Sequence, residues 1–128
     1  MKLYLELFYN INIIMNAISL FSGMGGDSLA IVNSGFNLVA YSEKEKVFQE
    51  THDLNFENCK LLGNGDITKT KDKSFLKYKD NVDLIFAGFP CQGFSNGGQK
   101  KKNDPRNTLF KEFVRATKLI NPKYIIGE

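Results

Sequence analysis

From Ala17 onward the chain alternates short apolar runs with stretches of helical spacing, and few folds accommodate that alternation. AISLF (17–21) reads as a buried strand that enters a glycine-rich turn. Residues 27–33 form a helix with Leu29, Ala30 and Val32 on its apolar face, closed by Gly35. NLVAYS (37–42) is a second strand, and residues 45–54 a second helix with Val47, Phe48, Thr51 and Leu54 facing inward. A short third strand fits within 60–66, and the lysine-rich stretch 68–80 reads as a connection with one helical turn. VDLIFAGF (82–89) is the strongest strand pattern and runs into a polar loop over 90–107. Residues 108–120 form an amphipathic helix with Leu109, Phe110, Phe113, Val114 and Leu119 as its buried face, stopped by Asn121-Pro122. KYIIGE (123–128) begins a fifth strand. Successive βαβ units of this kind predict an α/β protein built on a parallel sheet.

Composition narrows the function classes. Hydrophobic residues make up 42% of the 128 residues and charged residues 24%, enough for one packed core. A net charge of +3 is compatible with a nucleic-acid partner without pointing to one. Two cysteines, Cys59 and Cys91, are too few and too far apart for a disulfide framework, and the single histidine argues against a protein-built zinc site. The expectations are no metal and a reducing, cytoplasmic setting. The apolar stretch 3–14 contains Glu6 and two asparagines and falls short of the roughly 20 residues of a membrane span. Residues 1–15 therefore read as an extension, with Met15 an alternative start and the domain occupying 16–128.

Four places carry chemistry. FSGMGG (21–26) lets backbone approach a ligand closely at a helix N-terminus, but its GxGG spacing is not the dinucleotide fingerprint. Glu43, at the end of the second strand, is suited to accept hydrogen bonds from both ribose hydroxyls of a nucleoside, although it also belongs to a run of solvated charges. Asp66 and Ile67, in GDIT, suit an adenine amino group and ring face, or equally an ordinary aspartate cap. The most specific segment is GFPCQGFS (88–95). Its Cys91 comes after a proline at the carboxyl end of the central strand, where open α/β sheets bind ligands, whereas Cys59 reads as a buried structural cysteine.

Taken in order, FSGMGG, SEKEK, GDIT, GFPCQGFS, DPRNTLF and IIGE resemble the DNA cytosine-C5 methyltransferases over essentially 17–128. The resemblance implies a Rossmann-like, S-adenosylmethionine-dependent methyltransferase fold with strands β1 to β5 and flanking helices, incomplete at the C-terminus. It implies S-adenosylmethionine contacts from Phe21, Gly23, Gly25, Gly26, Glu43, Asp66, Ile67, Pro90 and Leu109. Cys91 matches the nucleophile that adds to cytosine C6, and Glu128 the glutamate of the Glu-Asn-Val block. Gln92, Ser95, Lys100, Lys101 and Arg106 match a loop that closes over double-stranded DNA holding a flipped cytosine.

Members of that family carry, beyond the position of Glu128, a base-contacting arginine, a target-recognition region and a segment completing the cofactor pocket. The resemblance therefore predicts a chain that works within a longer or split enzyme, with a complementing C-terminal chain as partner. Restriction–modification is the implied biology. Other readings stay open at this level: a truncated inactive remnant, a non-catalytic module binding S-adenosylmethionine or nucleic acid, or cytosine-C5 methylation of tRNA.

Overall fold

The computed structural model describes residues 13–90 and 107–128. Five strands form one sheet: β1 (Asn16–Leu20), β2 (Asn37–Tyr41), β3 (Lys60–Leu61), β4 (Leu84–Ala87) and β5 (Tyr124–Gly127). Their order is β3-β2-β1-β4-β5, and every pairing is parallel. The helices are α1 (Gly26–Asn33), α2 (Lys46–Asn55), α3 (Asp72–Leu76) and α4 (Asn107–Ile120), with a 3-10 turn at Ile67–Lys69. Parallel strands require crossovers, and the helices between them supply these. After β3 the chain returns to the opposite side of β1, so β1 and β4 flank the point where strand order reverses. That is where open sheets of this kind bind ligands.

Strand alternation divides the core. Ile18, Leu20, Ile85 and Ala87 face a cluster that includes Phe75, Phe113, Ala116 and Ile120. Ala17 and Leu84 face the other way, onto Ile31, Leu38, Tyr41 and Cys59. Cys59 is buried, and burial pushes its thiol up to about 12. At the amino ends of the strands, Asp83 accepts from the Asn16 amide at 2.8 Å and pairs with Lys123 at 2.6 Å.

The expected elements are present, with shorter strands than their apolar runs. The second half of 60–66 is turn, not strand, and the connection after residue 68 holds α3 as its single short helix. Gly35, at φ +87°, closes α1 as expected: its amide bonds the Val32 carbonyl at 3.0 Å while Phe36 bonds Ile31 at 3.3 Å.

The buried faces of the first two helices differ from the sequence expectation. On α1, Leu29, Ala30 and Val32 are exposed, while Ser28 and Ile31 are buried. On α2, Val47, Phe48 and Leu54 are exposed, Thr51 is half-buried, and His52 is the buried residue. The two buried polar residues explain each other. Ser28 Oγ and His52 Nε2 lie 2.8 Å apart, and the imidazole stacks on Tyr41 at 3.6 Å between ring centroids. A satisfied polar pair can occupy an interior face that periodicity assigns to apolar residues. On α4, Phe113 is buried and Leu109 and Leu119 pack against the core, but Phe110 is exposed and Val114 half-buried; Ala116 and Ile120 complete the inner stripe.

Candidate cofactor site at the carboxyl ends of the strands

Phe21 leaves β1 with φ +58°, a left-handed conformation that a bulky side chain seldom adopts. Its amide donates to Ser42 Oγ at 3.0 Å, and the Ser22 amide donates to the Ser42 carbonyl at 2.9 Å. These bonds stitch the glycine turn after β1 to the end of β2. Gly25, at φ +107°, then caps α1, and a Cβ there would stand 2.6 Å from the Phe56 ring. The turn thus sits directly on aromatic side chains of the α2 end, which only glycine permits.

Glu43 joins the turn to the start of α2. One carboxylate oxygen accepts from the Gly23 amide at 2.8 Å and the other from the Glu45 amide at 2.7 Å. The residues after β3 approach the same place. Gly65 lies so close to the Glu43 carbonyl and the Gln49 amide that any Cβ would overlap both. Asp66 Oδ1 accepts from the Thr68 amide at 3.0 Å and its hydroxyl at 2.7 Å. The Thr68 hydroxyl, with Lys69 3.6 Å from the other oxygen, holds the Asp66 carboxyl below its ordinary value. Asp66 therefore is a cap, as one reading allowed, and it also faces a cavity.

That cavity, of about 320 Å³, is lined by Phe21, Glu43, Asp66, Ile67, Pro90 and Leu109 among others. Six of the nine residues expected to contact a cofactor thus share one concave surface. Gly23, Gly25 and Gly26 shape the turn beside it. Ser42, Lys44, Gly65 and Gly88 also line it; they lie within the SEKEK, GDIT and GFPCQGFS segments but were not singled out as contacts. The volume and the lining suit a nucleoside: an acid at the β2 end, a second acid next to an apolar side chain, and aromatic and aliphatic walls. A larger apolar trough of about 460 Å³ lies elsewhere, between α1 and β5, and has little polar lining to orient such a ligand.

Glu128 comes directly after β5, and its amide donates to the Ala87 carbonyl of β4 at 2.9 Å. It stands at the same end of the sheet as the cavity. Cys91 comes four residues after Ala87 in sequence, and its neighbour Pro90 lines the cavity. Cys91, Gln92, Ser95, Lys100, Lys101 and Arg106 themselves lie outside the described residues. Among the described residues no helix is long and apolar enough to cross a membrane.

A parallel sheet in this order with a nucleoside-sized cavity at the strand ends is Rossmann-like, and the solved structures it resembles are methyltransferases. The family model for C-5 cytosine-specific DNA methylase matches residues 15–128, and the chain belongs to that family. It is 40% identical over 116 residues to the Type II methyltransferase M1.HphI of Haemophilus parahaemolyticus, covering 87% of this chain and 31% of that one. It is 41% identical over 115 residues to M.DdeI of Desulfomicrobium norvegicum, covering 89% and 27%. Among solved structures, a Spodoptera frugiperda DNMT2 mutant superposes with a TM-score of 0.64 at 32% identity, over 88% of this chain and 34% of that chain. The chain thus spans about a third of the length of the relatives it matches.

Proposed function

We propose that this chain supplies the cofactor site and the nucleophile of an enzyme that methylates C5 of cytosine in DNA. One observation carries the reading: Phe21, Glu43, Asp66, Ile67, Pro90 and Leu109 line a single cavity at the strand ends. In this reading Glu43 binds the ribose hydroxyls, Asp66 the adenine amino group, and Ile67 the ring face, while Phe21, Pro90 and Leu109 wall the cavity. S-adenosylmethionine bound there would supply a methyl group on a positively charged sulfur.

The chain's own residues prepare the acceptor. Cytosine C5 is a weak nucleophile until the Cys91 thiolate bonds to C6, which pushes the C5–C6 π pair to C5, delocalised through C4 to N3, and leaves C5 an enamine-like carbon able to take a methyl group. The Glu128 carboxyl, hydrogen-bonded at N3, offsets the negative charge that develops there. After C5 gains its methyl group, loss of its proton to a base re-forms the C5–C6 double bond and expels the thiolate. A base paired inside a duplex cannot reach these groups, so the cytosine is flipped out. Gln92, Ser95, Lys100, Lys101 and Arg106 are assigned to the DNA-facing segment.

Two features support a role within a larger assembly. The chain spans about a third of its relatives' length. In addition, Tyr124, Ile125 and Ile126 of the edge strand β5 are exposed beside an apolar trough lined by Ile31, Phe36, Leu84 and Phe86. We assign that surface to the remainder of the family domain, in the same polypeptide or in a complementing one.

Calorimetry of S-adenosylmethionine with the 128-residue chain and with Glu43→Ala tests the cofactor assignment. Binding that Glu43→Ala abolishes is expected, and binding indifferent to Glu43 would sink it. The nucleophile is tested, with the complementing region present, on DNA carrying 5-fluorocytosine, from which no proton can be removed. A stable adduct is expected with the native chain and none with Cys91→Ser. Transfer to tRNA in place of DNA would redirect the substrate assignment.

A further inference from the structure

Arg115 lies on α4, six positions after the cavity-lining Leu109, or about 9 Å along the helix axis. Its guanidinium spans five partners. Nε donates to Glu112 at 2.8 Å, and Nη1 to Asp72 at 2.6 Å. Nη2 donates to the backbone carbonyls of Ile67 at 2.9 Å and Thr70 at 3.1 Å, and lies 2.6 Å from the Glu112 carboxylate. The guanidinium plane also covers the Phe75 ring at 4.9 Å from its centroid.

Two of these bonds end on backbone oxygens of the turn that presents Asp66 and Ile67 to the cavity. Just before the turn, the Gln49 amide donates to the Glu43 carbonyl at 2.6 Å and, more weakly, to the Asn64 carbonyl at 3.4 Å, so it ties the chain entering the turn to the end of β2. A planar fork with several fixed donors sets position and orientation together, which a single ammonium cannot do. Glu112 and Asp72 compensate its charge, so the carbonyl bonds are charge-assisted without leaving an unpaired cation.

We propose that Arg115 is a positioning residue that sets the Asp66–Ile67 turn against the Leu109 wall, and thereby sets the selectivity of the cavity for adenine over other purines. The proposal rests on the assignment of Asp66 to the adenine amino group. Hypoxanthine, which carries an oxygen there, should be disfavoured only while the turn keeps its place. Glu112 and Arg115 form an ordinary helix-surface pair in isolation; the two carbonyl bonds are what tie the pair to the site.

Two measurements on the full 128-residue chain test it. Amide hydrogen exchange of Arg115→Lys should show the Lys69 and Thr70 amides exchanging about tenfold faster, with β1 amides unchanged; that is the equivalent of one lost charge-assisted hydrogen bond. Calorimetry with S-adenosylhomocysteine and S-inosylhomocysteine should show the native preference for the adenosyl ligand reduced about tenfold or more in Arg115→Lys, and in Gln49→Leu to a smaller degree. Exchange that rises uniformly would make Arg115 a general stability element and overturn the proposal. So would a loosened turn with unchanged preference. If Asp66→Ala also leaves the preference unchanged, the adenine assignment itself fails. Arg115 could still hold the turn, and hydrogen exchange reads that separately.

Discussion

The Glu43 carboxylate accepts the Gly23 amide at 2.8 Å, so the acid at the end of β2 and the glycine turn after β1 form one hydrogen-bonded unit. Its second oxygen takes the Glu45 amide at 2.7 Å and so anchors the entry to α2. Each oxygen keeps a further lone pair for another donor.

Glu43→Ala should therefore do more than remove a ligand contact. It leaves the Gly23 amide without its acceptor, at about 1–3 kcal/mol of stability, while the exposed Glu45 amide turns to water. Glu43→Gln keeps one carbonyl oxygen and should cost less than Ala. Urea midpoints of the three proteins check this order; equal losses for Ala and Gln would show that the Gly23 bond contributes nothing.

Gly25→Ala places a methyl group 2.6 Å from the Phe56 ring at a φ of +107°. Strain of roughly 1–3 kcal/mol is expected from the backbone alone, with the ring clash added. Phe56→Leu in the same chain should recover part of the loss by clearing the clash and leaving the φ penalty. Thermal melts of the single and double variants separate the two contributions.

His52 is the only histidine in the sequence and is fully buried. Burial lowers its pKa from the ordinary 6.5, with the Asp53 carboxylate opposing. Among the described residues its Nδ1 has no hydrogen-bond partner, which favours the tautomer that carries its proton on Nε2 and donates it to Ser28. The unfolded chain takes up a proton near 6.5 and the folded chain does so only at lower pH. Stability should therefore be level above pH 6.5 and fall as the pH drops from there toward the lowered folded value. Denaturation between pH 7.5 and 5 should show this decline in the native chain and a flat profile in His52→Phe.

Asp27, in the first turn of α1, has its pKa raised above 3.8 by burial, against the opposing effect of its own helix backbone. A carboxyl raised in the folded state favours folding as the pH falls through that raised value, and opposes it once ionised. Asp27→Asn should stabilise the protein at pH 7 and lose that advantage near pH 3. Destabilisation at pH 7 would mean that the helix N-terminus outweighs desolvation at this position.

Much of the cavity lining was legible because its signals are local. A glycine turn, an acid at the next strand end and a proline before a cysteine each depend on a few adjacent residues, and parallel strands bring their carboxyl ends together. Ser42, Gln49 and Arg115 were not legible in the same way. Their partners lie as far as 48 residues away, and nothing in a serine at a strand end or an arginine on a helix announces which carbonyl it will meet. The inner faces of α1 and α2 were misread for a related reason: Leu29, Val32 and Leu54 fit an apolar stripe, yet Ser28 and His52 occupy the interior by bonding to each other across 24 residues.

The succession of strands and helices along the chain, the family and the positions of Glu43 and Glu128 at strand ends were legible in the sequence alone, because hydrophobic period and turn chemistry act within a single element. Tertiary structure decided which side of each helix turned inward and how Arg115 holds the carbonyls of the Asp66–Thr70 turn. Those outcomes depend on hydrogen bonds that must be satisfied once side chains leave water, and their partners are chosen only when the sheet has brought distant segments together.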